Sequence, residues 1–271
     1  MTTLLQISDT HFGTERPPVV NALLQLVKDL APDVVVLSGD ITQRARGTQF
    51  RAARKFADQL RPAALLAIPG NHDIPLFNLV ARAFSPYANY SQAFGPNLEP
   101  EFETGNLLVI GVNTTRARRH KDGELSLRQI DRVAQRLQRA TVEQLRIVVV
   151  HQPVIAIRAS DEDNLLLRNQ LAVPAWAAAG GDIIMGGHIH LPYVASMRSR
   201  FADLPRDMWA VQAGTAVSSR LRQGTTNSVN LIRTTSAGSG RRHCSYQRWD
   251  YVDVKARFEL HSAEVLRFAI A

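Results

Sequence analysis

Five short apolar runs of this chain each end in a compact polar block, and that recurrence constrains the fold more than any other feature. "TLLQIS" leads into Asp9 and His11, "DVVVLSGD" ends on Asp40, and "ALLAIPGNHD" ends on Asn71, His72 and Asp73. "LRIVVVHQP" carries His151, and "DIIMGGHIH" carries His188 and His190. Amphipathic stretches separate the runs: Pro17 to Leu30, Thr48 to Leu60, Ser126 to Leu137 with Ser126 as an N-cap, and a helical stretch from Leu165 to Ala179. Buried strands alternating with crossover helices define an α/β protein. In such folds the carboxyl ends of the strands converge on one crevice, so residues spread over some 180 positions of sequence can meet there.

"LLVIGVNT", Leu107 to Thr114, reads as a further strand. After His190 the texture changes: "MWAVQAG", "NSVNLIR" and "SYQRWDYVDVKARFEL" alternate in hydrophobicity between Gly, Ser and Thr, and read as antiparallel strands. No linker or repeat divides the 271 residues, so one domain over 1–271 is expected, with two sheets packed together and helices outside. No apolar run nears the roughly 20 residues of a membrane span, and the opening lacks a basic signal region, which predicts a cytoplasmic protein. Cys244 is the single cysteine and excludes an internal disulfide or a multi-cysteine zinc knuckle.

Each polar block has a plainer reading when taken alone. Asp9 can cap a turn, Asp40 can belong to a Gly-Asp turn, Asp73 can cap a helix or orient His72, and any of the histidines can be a satisfied strand-end residue. Five blocks at five strand ends make the joint coincidence improbable. Gly39, Gly70, Gly186 and Gly187 precede the blocks, where a chain without Cβ turns sharply. Asp9 and His11 are two apart, as are His188 and His190, so in extended chain each pair faces one side. Asp9, His11, Asp40, Asn71, His151, His188 and His190 make seven O and N donors, too many for one tetrahedral zinc and suited to two ions, which Asp40 can bridge. Two divalent ions, two carboxylates and a bridging hydroxide leave a net charge of about +1, attractive to a phosphate. The reaction so implied is in-line attack of hydroxide on phosphorus, with His72 placed to protonate the leaving oxygen.

The ordered set Asp-x-His, Gly-Asp, Gly-Asn-His-Asp, His and Gly-His-x-His, running from Asp9 to His190, resembles the calcineurin-like metallophosphoesterase superfamily. That resemblance implies a four-layer αββα sandwich of two mixed sheets with a dinuclear site at the strand ends. By motif, one ion falls to Asp9, His11, Asp40 and His190, the other to Asp40, Asn71, His151 and His188, and His72 matches the catalytic histidine. Mn, Fe, Co, Zn and Mg are the metals it implies. The opening "ISDTHFG" and the "GNHDIP" extension are similar to bacterial class III cyclic nucleotide phosphodiesterases and to glycerophosphodiesterases. Lipid A pathway diphosphatases typically carry Arg at the position of His72, which argues against a lipid substrate.

Charge leaves the partner open. The formal charge is +8, with 28 Arg against four Lys, which suits an anionic substrate or nucleic acid but is also what a GC-rich genome writes. Asn113 and Arg116, with Arg118 and Arg119 beside them, are substrate-contact candidates on the loop 116–121, a solvated loop being the alternative; Arg241-Arg242 reads as solvated. A small phosphodiester, cyclic AMP foremost, is the expected substrate. A nuclease or nucleic-acid binder, a glycerophosphodiesterase or phosphomonoesterase, and a non-catalytic interaction protein are the alternatives, and a dimer is compatible with all of them.

Overall fold

The computed structural model describes residues 1–236 and 242–268, so Gly238-Ser239-Gly240 and Arg241 lie outside the described residues. The first half is built from β1 (Thr2–Ile7), α1 (Pro17–Leu30), β2 (Val34–Ser38), α2 (Gly47–Leu60) and β3 (Ala64–Ile68). Two short helices follow, α3 (Leu79–Phe84) and α4 (Ala88–Phe94), then β4 (Glu101–Thr104), β5 (Leu107–Gly111), α5 (Leu127–Gln138), β6 (Leu145–Val149), α6 (Asn169–Ala178) and β7 (Ile183–Gly186). The remainder is β-rich: β8 (Tyr193–Ser196), β9 (Trp209–Gln212), β10 (Ser228–Ser236), β11 (Arg242–Val252) and β12 (Arg257–Leu266).

Two six-stranded sheets form, in the orders β12-β11-β10-β1-β2-β3 and β4-β5-β6-β7-β9-β8. Strands β1, β2 and β3 are mutually parallel, and β10 joins antiparallel to β1. Strands β5, β6, β7 and β9 are parallel, with β4 and β8 antiparallel at the edges. Both sheets are therefore mixed.

Alternation along the strands produces the layers. In β2, Val34 and Val36 point into a core shared with Val109, Ile147, Val149 and Met185 of the other sheet. Val35 and Leu37, one residue out of phase, pack under α1 and α2 against Leu23 and Phe50. On the far side Val148 and Ile184 meet α5 and α6 through Val133 and Trp176. Helix, sheet, sheet, helix is the result, the four-layer αββα sandwich. Strands covered on both faces read as continuous aliphatic runs, which is why they stand out in the sequence.

Most predicted elements form, with ends shifted by a few residues, and Ser126 caps α5 by accepting from Gln129 N at 3.1 Å. Three expectations are corrected. "MWAVQAG" is β9, which runs parallel to β7 and antiparallel only to β8; the β8 excursion reverses the chain once more, and alternation carries no information on strand direction. "SYQRWDYVDVKARFEL" is two strands, because the chain reverses at Asp253–Lys255 with Ala256 left-handed. Asp73 does not open a helix at Ile74: it closes a 3₁₀ turn, Asn71–Asp73, whose N-cap Gly70 N donates to its carboxylate, and α3 begins later, capped by Asn78 Oδ1 accepting from Ala81 N at 3.0 Å. Among the described residues no helix is long and apolar enough to cross a membrane.

Candidate metal centre

All five polar blocks follow parallel strands, β1, β2 and β3 in one sheet and β6 and β7 in the other, so they gather at one edge of the sandwich. The chain does not arrive there extended. Asp9, His11, Asp40, His188 and His190 all have left-handed backbone, with φ of 51°, 43°, 48°, 71° and 54°. Few non-glycine residues adopt this region, and its concentration at one place marks a built site. It also corrects the extended backbone expected at the two pairs. Asp9, His11 and His190 form one cluster of ligand atoms and Asp40, His151 and His188 another, so the two pairs spaced two apart are directed by these kinks and not by extension.

Asp40 stands between the clusters. Its Oδ1 lies 3.3 Å from His151 Nε2 and its Oδ2 lies 3.8 Å from His11 Nε2. His190 Nε2 faces Asp9 Oδ1 at 3.3 Å and His11 Nε2 at 3.0 Å. Hydrogen bonds on the far side of two rings fix their tautomers: His151 Nδ1 donates to the Ser38 carbonyl at 2.9 Å, and His190 Nδ1 to the Arg220 carbonyl at 2.6 Å. Each ring then presents an Nε2 lone pair to a carboxylate oxygen, an arrangement that is repulsive unless a proton or a cation lies between. His151 Nε2, His188 Nδ1 and Asn71 Oδ1 are buried with no hydrogen-bond partner. Donors of this kind, buried and unsatisfied beside ionised carboxylates, fit metal ions.

Electrostatics follow from burial and from these facings. Burial opposes ionisation of Asp9 and Asp40, yet the His190 hydrogen bond and charge hold Asp9 below its ordinary value, and the charges of His151 and His72 hold Asp40 well below. Burial pushes His11 down to about 3 against the pull of Asp40 and Asp9, and burial with the charge of His151 pushes His188 down to about 4. His151 goes the other way: burial works against its charged form, but Asp40 raises it to about 9. The edge is thus two anions enclosed by imidazoles, of which His11 and His188 are pushed down and His151 up, each by its own surroundings.

Glycine serves this edge in two ways. Gly39 turns left-handed with φ of 98°, as the sequence suggests. Gly70 does not turn; a Cβ there would stand 2.8 Å from Asp40 Cα, so its role is to let two loops touch. Asp73 secures the same contact, accepting from Gly70 N at 2.9 Å, Ile41 N at 3.0 Å, and Thr42 N and Oγ1 at 2.8 Å each. His72 lies at the rim. Its backbone N donates to Asp40 Oδ1 at 2.8 Å, its Nδ1 faces the Gln43 carbonyl at 2.8 Å, and it joins His11 and Asp40 in a third cluster that the sequence did not suggest.

A cavity of about 470 Å³ opens over the centre, lined by Asp40, Asn71, His72, His188, His190, Lys121 and Arg220 among others. Asn113 and Arg116 are elsewhere. They line a separate depression with Glu99 and Gln129, where Asn113 holds Thr115 and Tyr87 while Arg116 holds Gln129 and the carbonyls of Asn113 and Thr115. Arg118 and Arg119 are tied to Glu124. The sequence did not single out Arg220, although it stands in the loop after β9, a further parallel strand whose end meets the same edge.

A two-sheet αββα sandwich with His and Asp clusters at the strand ends defines a metal-dependent phosphoesterase architecture. The chain belongs to the calcineurin-like phosphoesterase family, whose model matches residues 2–192. It is 24% identical over 204 residues to a probable cyclic nucleotide phosphodiesterase of Synechococcus sp., covering 70% of this chain and 74% of that one. It is also 41% identical over 81 residues to the glycerophosphodiester phosphodiesterase GpdQ of Enterobacter lignolyticus, covering 26% of this chain and 29% of that one. A purple acid phosphatase from yellow lupin (Lupinus luteus) seeds shares the fold with a TM-score of 0.68 and 12% identity; the match covers 97% of this chain and 53%, about half, of the lupin chain. Membership makes this chain a phosphoester hydrolase whose fold implies metal ions.

Proposed function

We propose that the chain is a dinuclear metal-dependent phosphodiesterase of small phosphodiesters, with cyclic nucleotides the first candidates. The carrying observation is Asp40, whose two oxygens face two separate histidine clusters. Asp9, His11, Asp40 and His190 would hold one ion, and Asp40, Asn71, His151 and His188 the other. When bound, the ions supply Lewis-acid activation of the phosphoryl group and of water. The mixed carboxylate, amide and imidazole donors suit Mn, Fe, Co, Zn or Mg.

His72 faces the cavity with Nε2, its other nitrogen being engaged by the Gln43 carbonyl, and so stands where a leaving oxygen could take a proton. The cavity suits a small substrate. Both curated relatives named above are called phosphodiesterases, which supports a diester over a monoester. Nucleic acid is disfavoured by the pairing of the arginines: Arg132 with Glu99, Arg136 with Glu101 and Glu103, Arg200 with Glu162, and Arg222 with Asp161, which leaves the +8 charge without a continuous free stripe there.

The test is a metal-reconstituted turnover panel of cyclic AMP, cyclic GMP, glycerophosphodiesters, phosphomonoesters and single-stranded DNA. Metal-dependent hydrolysis of a diester ahead of the monoesters and DNA is expected. Failure to hydrolyse even bis(p-nitrophenyl) phosphate with any of the five metals would sink the reading.

A further inference from the structure

The loop that follows β9 reaches the cavity from the part of the chain beyond the family match, and it brings one arginine unlike its neighbours. Arg220 Nη1 donates to Gln43 Oε1 at 2.8 Å and lies 3.2 Å from His72 Nε2. Both partners are neutral acceptors. Among the described residues no ion pair is formed by Arg220, whereas Arg222, two residues on, is locked to buried Asp161 at 2.9 Å. The guanidinium therefore brings an uncompensated positive charge to the wall of the cavity.

Its backbone is held firmly. Arg220 N donates to Ser218 Oγ at 2.9 Å, Ser219 N donates to the Thr14 carbonyl at 2.9 Å, and Asn227 Nδ2 donates to the Ser218 carbonyl at 2.8 Å. The Arg220 carbonyl accepts from His190 Nδ1 at 2.6 Å, so one residue sets the orientation of a candidate ligand and presents a cation beside it. A planar fork with neutral partners, anchored at the backbone and directed into a cleft, is suited to the oxygens of a phosphate.

We propose that Arg220 is a substrate-binding residue that grips a phosphoryl oxygen of the phosphoester, leaving His72 Nε2 as it does so. The proposal rests on the phosphodiesterase reading above for the identity of the substrate. It follows from the hydrogen bonds themselves. With Nδ1 donating to the Gln43 carbonyl, the Nε2 of the neutral ring can only accept, and Arg220 occupies it; a phosphate that draws the guanidinium away uncovers Nε2, which must first take a proton from solvent before it can pass one to a leaving oxygen. Binding and the exposure of His72 are then one event.

The experiment compares wild type, Arg220→Ala and Arg220→Lys, each loaded with Mn²⁺ and matched for metal content and thermal midpoint. Inorganic phosphate binding is measured by calorimetry, and KM and kcat on bis(p-nitrophenyl) phosphate by turnover. Arg220→Ala keeps the carbonyl that holds His190, so its metal content should match wild type. Its phosphate Kd and its KM are expected to rise about 10- to 100-fold, the scale of a charge-assisted hydrogen bond, with kcat changed less than about threefold. Arg220→Lys, retaining charge without the fork, should recover part of that loss. A phosphate Kd in Arg220→Ala within twofold of wild type overturns the proposal, as does a fall in kcat at unchanged KM, which would mean that Arg220 acts only through His72. A wild type that binds phosphate but cleaves no diester would reject the phosphodiesterase reading, while the Kd comparison would still judge Arg220.

Discussion

Left-handed backbone at Asp9, His11, Asp40, His188 and His190 costs each residue on the order of 1–2 kcal/mol, which the surrounding contacts must offset. Gly70 is one such contact, since the Asp40 loop closes directly over it. Gly70→Ala is expected to destabilise the fold by about 2–4 kcal/mol and to release metal, because the obstacle is backbone and cannot swing aside. Urea unfolding and metal analysis check this; a variant with wild-type stability and full metal would show that the loops have room. His72 makes a separate prediction. His72 sits at the rim and belongs to neither of the two proposed ion sites, only to the third cluster with His11 and Asp40, so His72→Ala should retain metal yet lose about 10²- to 10⁴-fold in turnover of diesters with alkyl leaving groups, and far less with p-nitrophenyl diesters, whose leaving group needs no proton. Equal losses on both substrate types would reject the general-acid role.

At the scale of elements, the loop 116–121 shows why an arginine cluster in a sequence does not announce its partner. Hydrogen bonds from Arg119 and Arg118 hold the Glu124 carboxyl down to about 2, from its ordinary 4.5. The folded pKa lies below the unfolded one, so the contribution to stability is present above about pH 4.5 and is lost as pH falls toward 2. Arg118 is largely exposed, and water screens the pair, so the gain is on the order of 1–2 kcal/mol. Comparing wild type with Glu124→Gln by urea unfolding at pH 7 and pH 3 should show a gap at pH 7 that narrows at pH 3. A gap that stays constant would remove the ionic explanation. The strand ends were legible because a fully covered parallel strand is written as an aliphatic run, and the polar block after it stands out. Strand direction for β9 and the structural use of Asn113 and Arg116 were not, since the first depends on pairing with β7 and the second on which loop atoms the folded backbone brings within reach, Tyr87 and Gln129 among them. Arg220 was hidden for another reason: its loop carries no dense block of site residues, only Arg220 and Arg222 among Ser and Leu, with nothing in the sequence to tell them apart.

For the whole molecule, the centre joins the two sheets. Asp9, His11, Asp40 and Asn71 come from loops of the β1-β2-β3 sheet, and His151, His188 and His190 from loops of the β6-β7 sheet. Ions held by both sets would therefore cross-link the layers at one edge. The apolar core between the sheets, including Leu4, Val36, Ile147 and Val149, does not depend on that link and should keep the metal-free protein folded. Ligation acts only on the native state, so free ion at 100 to 1,000 times its dissociation constant should add about 3–4 kcal/mol. For a chain of this size that is a rise in thermal midpoint on the order of 5–10 °C. Thermal melts of chelator-treated protein, with and without added Mn²⁺, measure it, and near-UV dichroism reports whether the metal-free state keeps its packing. Because each proposed ion draws donors from both sheets, Asp9→Asn and His151→Ala, which each weaken a different ion site, should each remove about half of the metal-induced rise, and the double variant most of it. A full rise in the double variant would mean that the centre does not staple the sandwich.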